Sequence, residues 1–276
     1  MKITAKKTIL ALGMFAILSG MLLINGCKKE DAPVANSTTY TLKAKDVLGI
    51  SGTVKFTETS STVTTVEINL TGASATSHPA HIHLNSAIEG GSIAISLSPV
   101  DASGKSVTSV TTKDDGTPIN YSQLIAFDGY LNVHESSLSL GTIIAQGDIG
   151  GNELVSGTNK TYTLNAVNAS GVAGTALFEK RKNGNSLVTI SLTGTIASNN
   201  YPAAIRLGSV ATIGGGPIKK DLNDVDGTSG KSVTNIRTLN DGTPITYDNW
   251  LVYDGYITIE NSTAPTVITQ GNIGSN

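Results

Sequence analysis

Four histidines are the residues of this sequence best suited to chemistry, and all of them lie between residues 78 and 134. His81 and His83 are two positions apart in the segment HIHL, so on a β-strand both imidazoles would point to the same face. His134 ends a second strand-like segment, YLNVH. Imidazole nitrogen is a ligand for divalent zinc, copper, nickel and iron. If the two strands lie close together, His81, His83 and His134 form a metal site, for which we expect zinc or copper.

The fourth histidine, His78, is a weaker candidate for a ligand because Pro79 follows it and directs the chain differently. An HxH pair on a strand is also compatible with exposed polar residues or with histidines that only form hydrogen bonds. Three histidines with an open coordination position are the ligand set of many catalytic zinc sites. An enzyme of that kind would also need a base, and the carboxylates of Glu89, Asp128 and Glu135 are available.

The sequence contains two copies of one module. TYTLKAKDVLGISGTVKF at residues 39–56 returns as TYTLNAVNASGVAGTALF at 161–178. DGTPINY returns as DGTPITY, and TIIAQGDIGGN returns as TVITQGNIGSN, in the same order. The repeat predicts a tandem duplication with domains at 39–150 and 161–276, joined by a polar linker at 151–160. Each copy is long enough for a core of its own.

The second copy lacks every histidine of the first. Where the first copy has His83 and His134, the second has Arg206 and Glu260. A cation and an anion thus replace two like ligands at paired positions. We therefore predict that Arg206 and Glu260 form an ion pair at the place where the first copy brings its histidines together.

Hydrophobic periodicity predicts an all-β fold for both copies. Apolar residues alternate with Thr, Ser and Asn in short runs such as VEINLTG, and clusters of Gly, Asn and Asp separate the runs. No segment has an apolar stripe of helical period, although a short helix could lie near residues 122–126. We expect two tandem domains, each a β-sandwich or Greek-key barrel.

Three segments of the first copy carry a family resemblance. HPAHIHL, GYLNVHES and GTIIAQGDIG resemble the CHRD domain, a module named from chordin and also found in secreted bacterial proteins. Residues 39–150 match all three parts and depart at Ala145, where arginine is common in the family; residues 161–276 keep the frame without the histidines. The resemblance implies an extracytoplasmic module, and it supplies no settled activity.

The N-terminus has the pattern of a targeting signal. Three lysines precede an apolar stretch at residues 8–24, and Ile24-Asn25-Gly26-Cys27 resembles the lipobox of bacterial lipoproteins. The resemblance implies that residues 1–26 are a cleaved signal peptide and that Cys27 is lipidated, with residues 27–38 as a flexible tether. The following KKED resembles the surface-export signal of Bacteroidetes lipoproteins. It implies a lipid anchor in the outer membrane with the domains at the cell surface, or alternatively on the periplasmic side.

Composition limits the classes of function. Of 276 residues, 14% are charged, and 19 basic residues against 21 acidic ones give a net charge of −2. With so few basic residues we expect no nucleic-acid partner. The function we expect is a non-enzymatic binding or structural module, anchored in the membrane by its lipid, with a protein or glycan as ligand. The alternative is a metalloenzyme that uses His81, His83 and His134, of a superoxide-dismutase-like or zinc-hydroxide type.

Overall fold

A computed structural model describes residues 35–74, 76–263 and 266–276. The predicted signal peptide at 1–26 and the lipidation site Cys27 lie outside these residues. Residues 35–276 form one compact unit. Within the described ranges, none of the helices has the length and the apolar character needed to traverse a bilayer.

The fold is all-β, as the sequence predicted. The first half of the chain contains eight strands and one short helix: β1 (Ser37–Ala44), β2 (Ser51–Ser60), β3 (Val63–Thr71), β4 (His78–Leu84), β5 (Ile93–Val100), β6 (Lys105–Val110), α1 (Tyr121–Leu124), β7 (Asp128–His134) and β8 (Ile143–Gly150). The second half repeats this order: β9 (Leu154–Ala166), β10 (Ala173–Arg181), β11 (Ser186–Thr193), β12 (Asn200–Leu207), β13 (Ile218–Asp226), β14 (Lys231–Ile236), α2 (Tyr247–Trp250), β15 (Asp254–Glu260) and β16 (Val267–Gly274).

Both halves have the same order of neighbouring strands. Strands β1–β8 form one sheet in the order β5-β4-β7-β8-β1-β2-β3-β6, and β9–β16 form a closed barrel in the order β10-β11-β14-β13-β12-β15-β16-β9. The barrel closes where Asp226 of β13 pairs with Lys231 of β14. In the first half, the corresponding strands β5 and β6 also meet at their hairpin, where Asp101 N–H donates to the Lys105 carbonyl.

Each half buries its own apolar core inside its sheet. Alternate strand residues supply most of it, including Phe56, Ile82 and Leu131 in the first half and Phe178 and Val188 in the second, because successive side chains on a strand point to opposite faces. The inward face is therefore fixed by burial, and the polar residues between the apolar ones must point outward.

The join between the halves is shorter than the predicted linker at 151–160. Strand β9 begins at Leu154, which pairs with Arg181 of β10. Within residues 151–153, the Glu153 carbonyl accepts from Lys182 N–H, and the Asn152 side chain is buried. The polar composition of this segment indicated a linker, but most of it belongs to β9, which pairs with β10 in the barrel of the second half.

The short helix near residues 122–126 is present as α1. Asn120 caps it, since its side-chain oxygen accepts from Gln123 N–H while the Gln123 side chain bonds the Asn120 N–H. The helix ends after one turn, so it contributes little of its own stability. Its function is to seat Leu124 in the core, where this side chain is fully buried.

Candidate metal centre

Two strands that are distant in the sequence place the three histidines together. Strand β4 pairs antiparallel with β7, with His81 opposite Asn132 and His83 opposite Tyr130. His134 lies two residues beyond Asn132 and is therefore a diagonal neighbour of His81 on the same face. The residues between them, such as Ile82, point into the core. The three imidazoles thus converge on the outer face of the first sheet.

The distances between the three rings are short enough for a shared metal. One ligand nitrogen from each of His81, His83 and His134 lies within 4.8 Å of the others. The ring centroids are 5.2 Å apart for His81 and His134, 5.9 Å for His81 and His83, and 6.3 Å for His83 and His134. Tetrahedral zinc would need nitrogens about 3.4 Å apart, given zinc–nitrogen bonds of about 2.05 Å. Small side-chain rotations would bring the nitrogens to that separation.

Main-chain carbonyls hold two of the three rings in a ligating orientation. His83 Nδ1 lies 3.0 Å from the Gly91 carbonyl, and His134 Nδ1 lies 2.6 Å from the Leu140 carbonyl. A carbonyl only accepts, so each Nδ1 carries the proton and each Nε2 keeps its lone pair. Metal-binding histidines usually donate their second ring nitrogen in this way.

Two nitrogen atoms at the centre are buried without a partner. Among the described residues, His83 Nε2 and His81 Nδ1 have no hydrogen-bond partner. Both His83 and His134 are buried, with 8% and 7% of their surface exposed, while His81 is half-buried. A buried polar nitrogen without a partner is unfavourable, and a metal ion would satisfy these atoms.

The electrostatics of the cluster favour the neutral form of His81 and His83. Burial lowers the pKa of His81, the neighbouring rings of His134 and His83 lower it further, and the Asp114 carboxylate partly opposes these effects. Burial also lowers the pKa of His83, against the raising effect of its hydrogen bond to the Gly91 backbone. A neutral ring is the form that binds a metal, because its lone pair is free.

His78 lies outside the cluster. Its side chain is 1% exposed, and its Nδ1 lies 2.7 Å from the Glu135 carbonyl while its Nε2 lies 3.0 Å from the Ser74 carbonyl. It shares the parity of Ala80 and Ile82, whose side chains are in the core. His78 therefore ties the start of β4 to the end of β7, and this bond is structural.

Sequence reasoning missed several residues around the histidines. The Tyr130 ring stacks on His83 with centroids 4.9 Å apart. The Gly91 backbone forms hydrogen bonds with the Tyr130 hydroxyl and with His83. Asn132, beside His81, accepts from Gln146 Nε2 at 2.8 Å. The carbonyls carry no residue-type signal, but Tyr130 and Asn132 share the parity of His134 and could have been found from it.

Two of the three carboxylates considered as bases, Glu89 and Asp128, have hydrogen-bond partners outside the histidine cluster. Glu89 accepts from Ser86 and from Asn235, and Asp128 accepts from Asn183. In the described part of the chain, the metal-ligand cluster contains three histidines and no carboxylate. The carboxylate that influences the cluster is Asp114, which accepts from the backbone and the hydroxyl of Ser96, the residue opposite His81.

The second half contains the predicted ion pair at the corresponding place. Arg206 donates to Glu260 at 2.7 Å, and both side chains are about one-fifth exposed. Arg206 also donates to the Gly216 carbonyl at 3.0 Å and to Thr258 at 3.1 Å. Gly216 corresponds to Gly91, because each glycine lies two residues before the following strand. The guanidinium thus takes the carbonyl that His83 uses in the first half.

A small cavity lies where the second half has no counterpart of the His81 ring. Its volume is about 70 Å³, and its lining includes Ala204, Asp221, Thr258 and Glu260. Ala204 pairs with Thr258 as His81 pairs with Asn132. The backbone frame is therefore the same in both halves, and the side chains differ.

Three histidines of the first half could hold a metal ion. The ring geometry, the two carbonyl bonds and the unpartnered nitrogens all belong to this one site. No known protein family and no curated protein matches this chain.

Proposed function

We propose that this protein is a metal-binding module whose first half binds one divalent zinc or copper ion through His81, His83 and His134. The observation that carries the proposal is the convergence of three imidazole nitrogens within 4.8 Å. The carbonyl partners of His83 and His134 support it, because they aim both Nε2 lone pairs away from the backbone. Three neutral nitrogen ligands suit zinc and divalent copper, whereas magnesium and calcium prefer oxygen.

The test is metal content and affinity in the purified chain without a histidine tag. We expect one zinc or copper ion per chain by elemental analysis and by competition with a chromogenic chelator. His81→Ala and His134→Ala should each abolish tight binding, since each leaves only two imidazoles to hold the metal. His78→Gln is the control for loss of a histidine that is not a ligand: its ring nitrogens bond the main-chain carbonyls of Ser74, His134 and Glu135, and thermal unfolding shows whether the variant keeps its fold. Native protein without bound metal, or histidine variants that bind as native, would contradict the proposal.

The proposed function is binding rather than catalysis, and the hydrogen bonds of two of the three candidate bases support this choice. Glu89 and Asp128 are held by hydrogen bonds away from the rings. The alternative is a metalloenzyme, favoured by an open position opposite three protein ligands and by the Asp114 carboxylate near His81. Zinc- and copper-loaded protein should be screened for hydrolysis and superoxide dismutation. Turnover that disappears in His134→Ala would establish the alternative.

The proposal also includes the cellular location that the N-terminal sequence implies. The lipobox-like segment ending at Cys27 supports lipid anchoring in the outer membrane, and the charges after it support surface exposure. The resemblance to the CHRD domain is compatible with an extracytoplasmic binding module whose ligand is a protein or a glycan. Labelling with a fatty-acid analogue should depend on Cys27, and Cys27→Ser should abolish it. Protease treatment of intact cells should remove the protein, and protection would indicate the periplasmic side.

A further inference from the structure

The loop between β4 and β5, residues 85–92, orients one of the proposed ligands. Its Gly91 carbonyl accepts from His83 Nδ1 at 3.0 Å. Its other end is fixed internally, because Glu89 accepts from the backbone and the hydroxyl of Ser86 at 3.1 and 2.7 Å. A displacement of this loop would therefore rotate or release the His83 ring.

Residues of the second half bond to the two carboxylates that hold this loop. Asn235 of β14, 9% exposed, donates to Glu89 at 3.0 Å. Arg181 of β10, 1% exposed, donates to one oxygen of Asp148 at 2.7 Å. The other oxygen of Asp148 accepts from Ala87 N–H in the loop at 2.8 Å. Both carboxylates thus connect the loop to the second half.

The corresponding loop of the second half shows which contacts are particular to the first. There, Val210 N–H donates to Asn272 at 2.9 Å, as Ala87 does to Asp148. Ser209 N–H donates to Thr212, as Ser86 does to Glu89. The loop's own bonds are therefore the same with neutral side chains. The first half has Asp148 and Glu89 instead, and these are the residues that Arg181 and Asn235 contact.

We propose that the second half is a positioning scaffold for the metal centre, with Arg181 and Asn235 as positioning residues that act on His83 through the β4–β5 loop. This inference rests on the proposed function. The inference gives the second half a function although this half has lost the histidines. It also assigns a reason for the two acidic residues, because a loop with neutral residues closes equally well but offers Arg181 no counter-charge.

Two substitutions remove the contacts while sparing the loop's own bonds. Asn235→Ala deletes the donor to Glu89. Asp148→Asn keeps an acceptor for Ala87 N–H, as Asn272 shows in the second half, but removes the charge that pairs with Arg181. The matched control is Asn223→Ala, because Asn223 bonds the Val233 carbonyl within the second half.

We expect zinc affinity, measured by chelator competition, to fall about tenfold in each variant with one site per chain retained, as for other outer contacts of metal ligands. Asn223→Ala should bind zinc as the native protein does. A second readout needs no metal: in nitrogen-15 spectra of the metal-free protein, His83 should lose its single Nδ1–H tautomer in Asn235→Ala.

The outcomes separate this inference from the proposed function. If Asn235→Ala and Asp148→Asn keep native zinc affinity and the native His83 spectrum, the scaffold proposal is wrong although the metal site stands. If the native protein binds no zinc or copper, the proposed function fails, and the His83 tautomer still tests the scaffold. Thermal unfolding identifies a variant that has lost its fold, and Asn235→Ala, which removes one hydrogen bond, then decides the question.

Discussion

The buried ion pair between Arg181 and Asp148 predicts an asymmetric response to mutation. Arg181 is 1% exposed, whereas the Asp148 side chain retains 24% of its exposure. Asp148→Asn would leave a buried guanidinium without its counter-charge. Arg181→Met would leave a carboxylate that water can still reach, and would fill the space of the arginine stem with an apolar chain.

The expected loss of stability for Asp148→Asn is about 2–3 kcal/mol. Removal of one partner from a buried ion pair typically costs about 3–5 kcal/mol. We expect less than this typical cost because Arg181 also donates to the Asn152 carbonyl, and that bond remains. Arg181→Met should cost less than Asp148→Asn, and the double variant should be more stable than Asp148→Asn alone, because no buried charge is left unpaired.

Urea unfolding followed by far-ultraviolet circular dichroism measures these differences. The control is Glu153→Gln, which removes the exposed pair with Lys182 and should cost less than about 1 kcal/mol. A loss below about 0.5 kcal/mol for Asp148→Asn would refute the burial argument. So would a larger loss for Arg181→Met than for Asp148→Asn.

Three further predictions concern the site, the core and the second half. Gly91→Ala should weaken zinc binding and lower the melting temperature, because a Cβ there would lie 2.0 Å from the Leu84 carbonyl. Burial raises the pKa of Tyr40 to about 12, above the value of about 10 in an unfolded chain. Stability should therefore be full below pH 10 and fall as the pH rises towards 12, and Tyr40→Phe should flatten this fall in urea titrations. Ala204→His, Arg206→His and Glu260→His together should add a second zinc ion per chain by elemental analysis.

Each of these has a control or a contrary result. Gly141→Ala introduces a Cβ with nothing within 4 Å, so it should leave zinc affinity and melting temperature unchanged. A Tyr40→Phe variant with the alkaline slope of the native protein would show that other tyrosines or lysines dominate. A folded triple-histidine variant that still binds one zinc ion would show that the second barrel does not preserve the frame of the site.

Local sequence pattern predicts much of the fold, whereas the site also depends on strand pairing and on main-chain contacts. Alternation of apolar residues predicts the strands, and the repeated segments predict two halves of equal topology. Parity alone places His81 and His83 on one face. It also separates His78 from them, a stronger reason than Pro79, because His78 has the parity of the core residue Ile82.

The sequences of β4 and β7 do not by themselves predict that these two strands pair. Two other strands, β5 and β6, lie between them in the sequence, so His134 comes next to His81 only through the long-range pairing of β4 with β7. The Gly91 and Leu140 carbonyls have no side-chain signature. Asp148 is visible as a charged counterpart of Asn272, but its partner Arg181 is identified only when the halves are packed.

The second half shows that the backbone frame and the candidate metal-binding side chains are separable features of this fold. Arg206 takes the Gly216 carbonyl as His83 takes that of Gly91, and its charge meets Glu260 at the position of His134. A guanidinium is a permanent cation without a lone pair, so this arrangement satisfies the outer face and leaves no ligand for a metal. Three imidazoles on the same frame do the opposite, because the unprotonated nitrogen of each ring offers a lone pair to a metal ion. On this face the halves therefore differ in the three side chains at the histidine positions, and the three of the first half are the ones that could hold a metal ion.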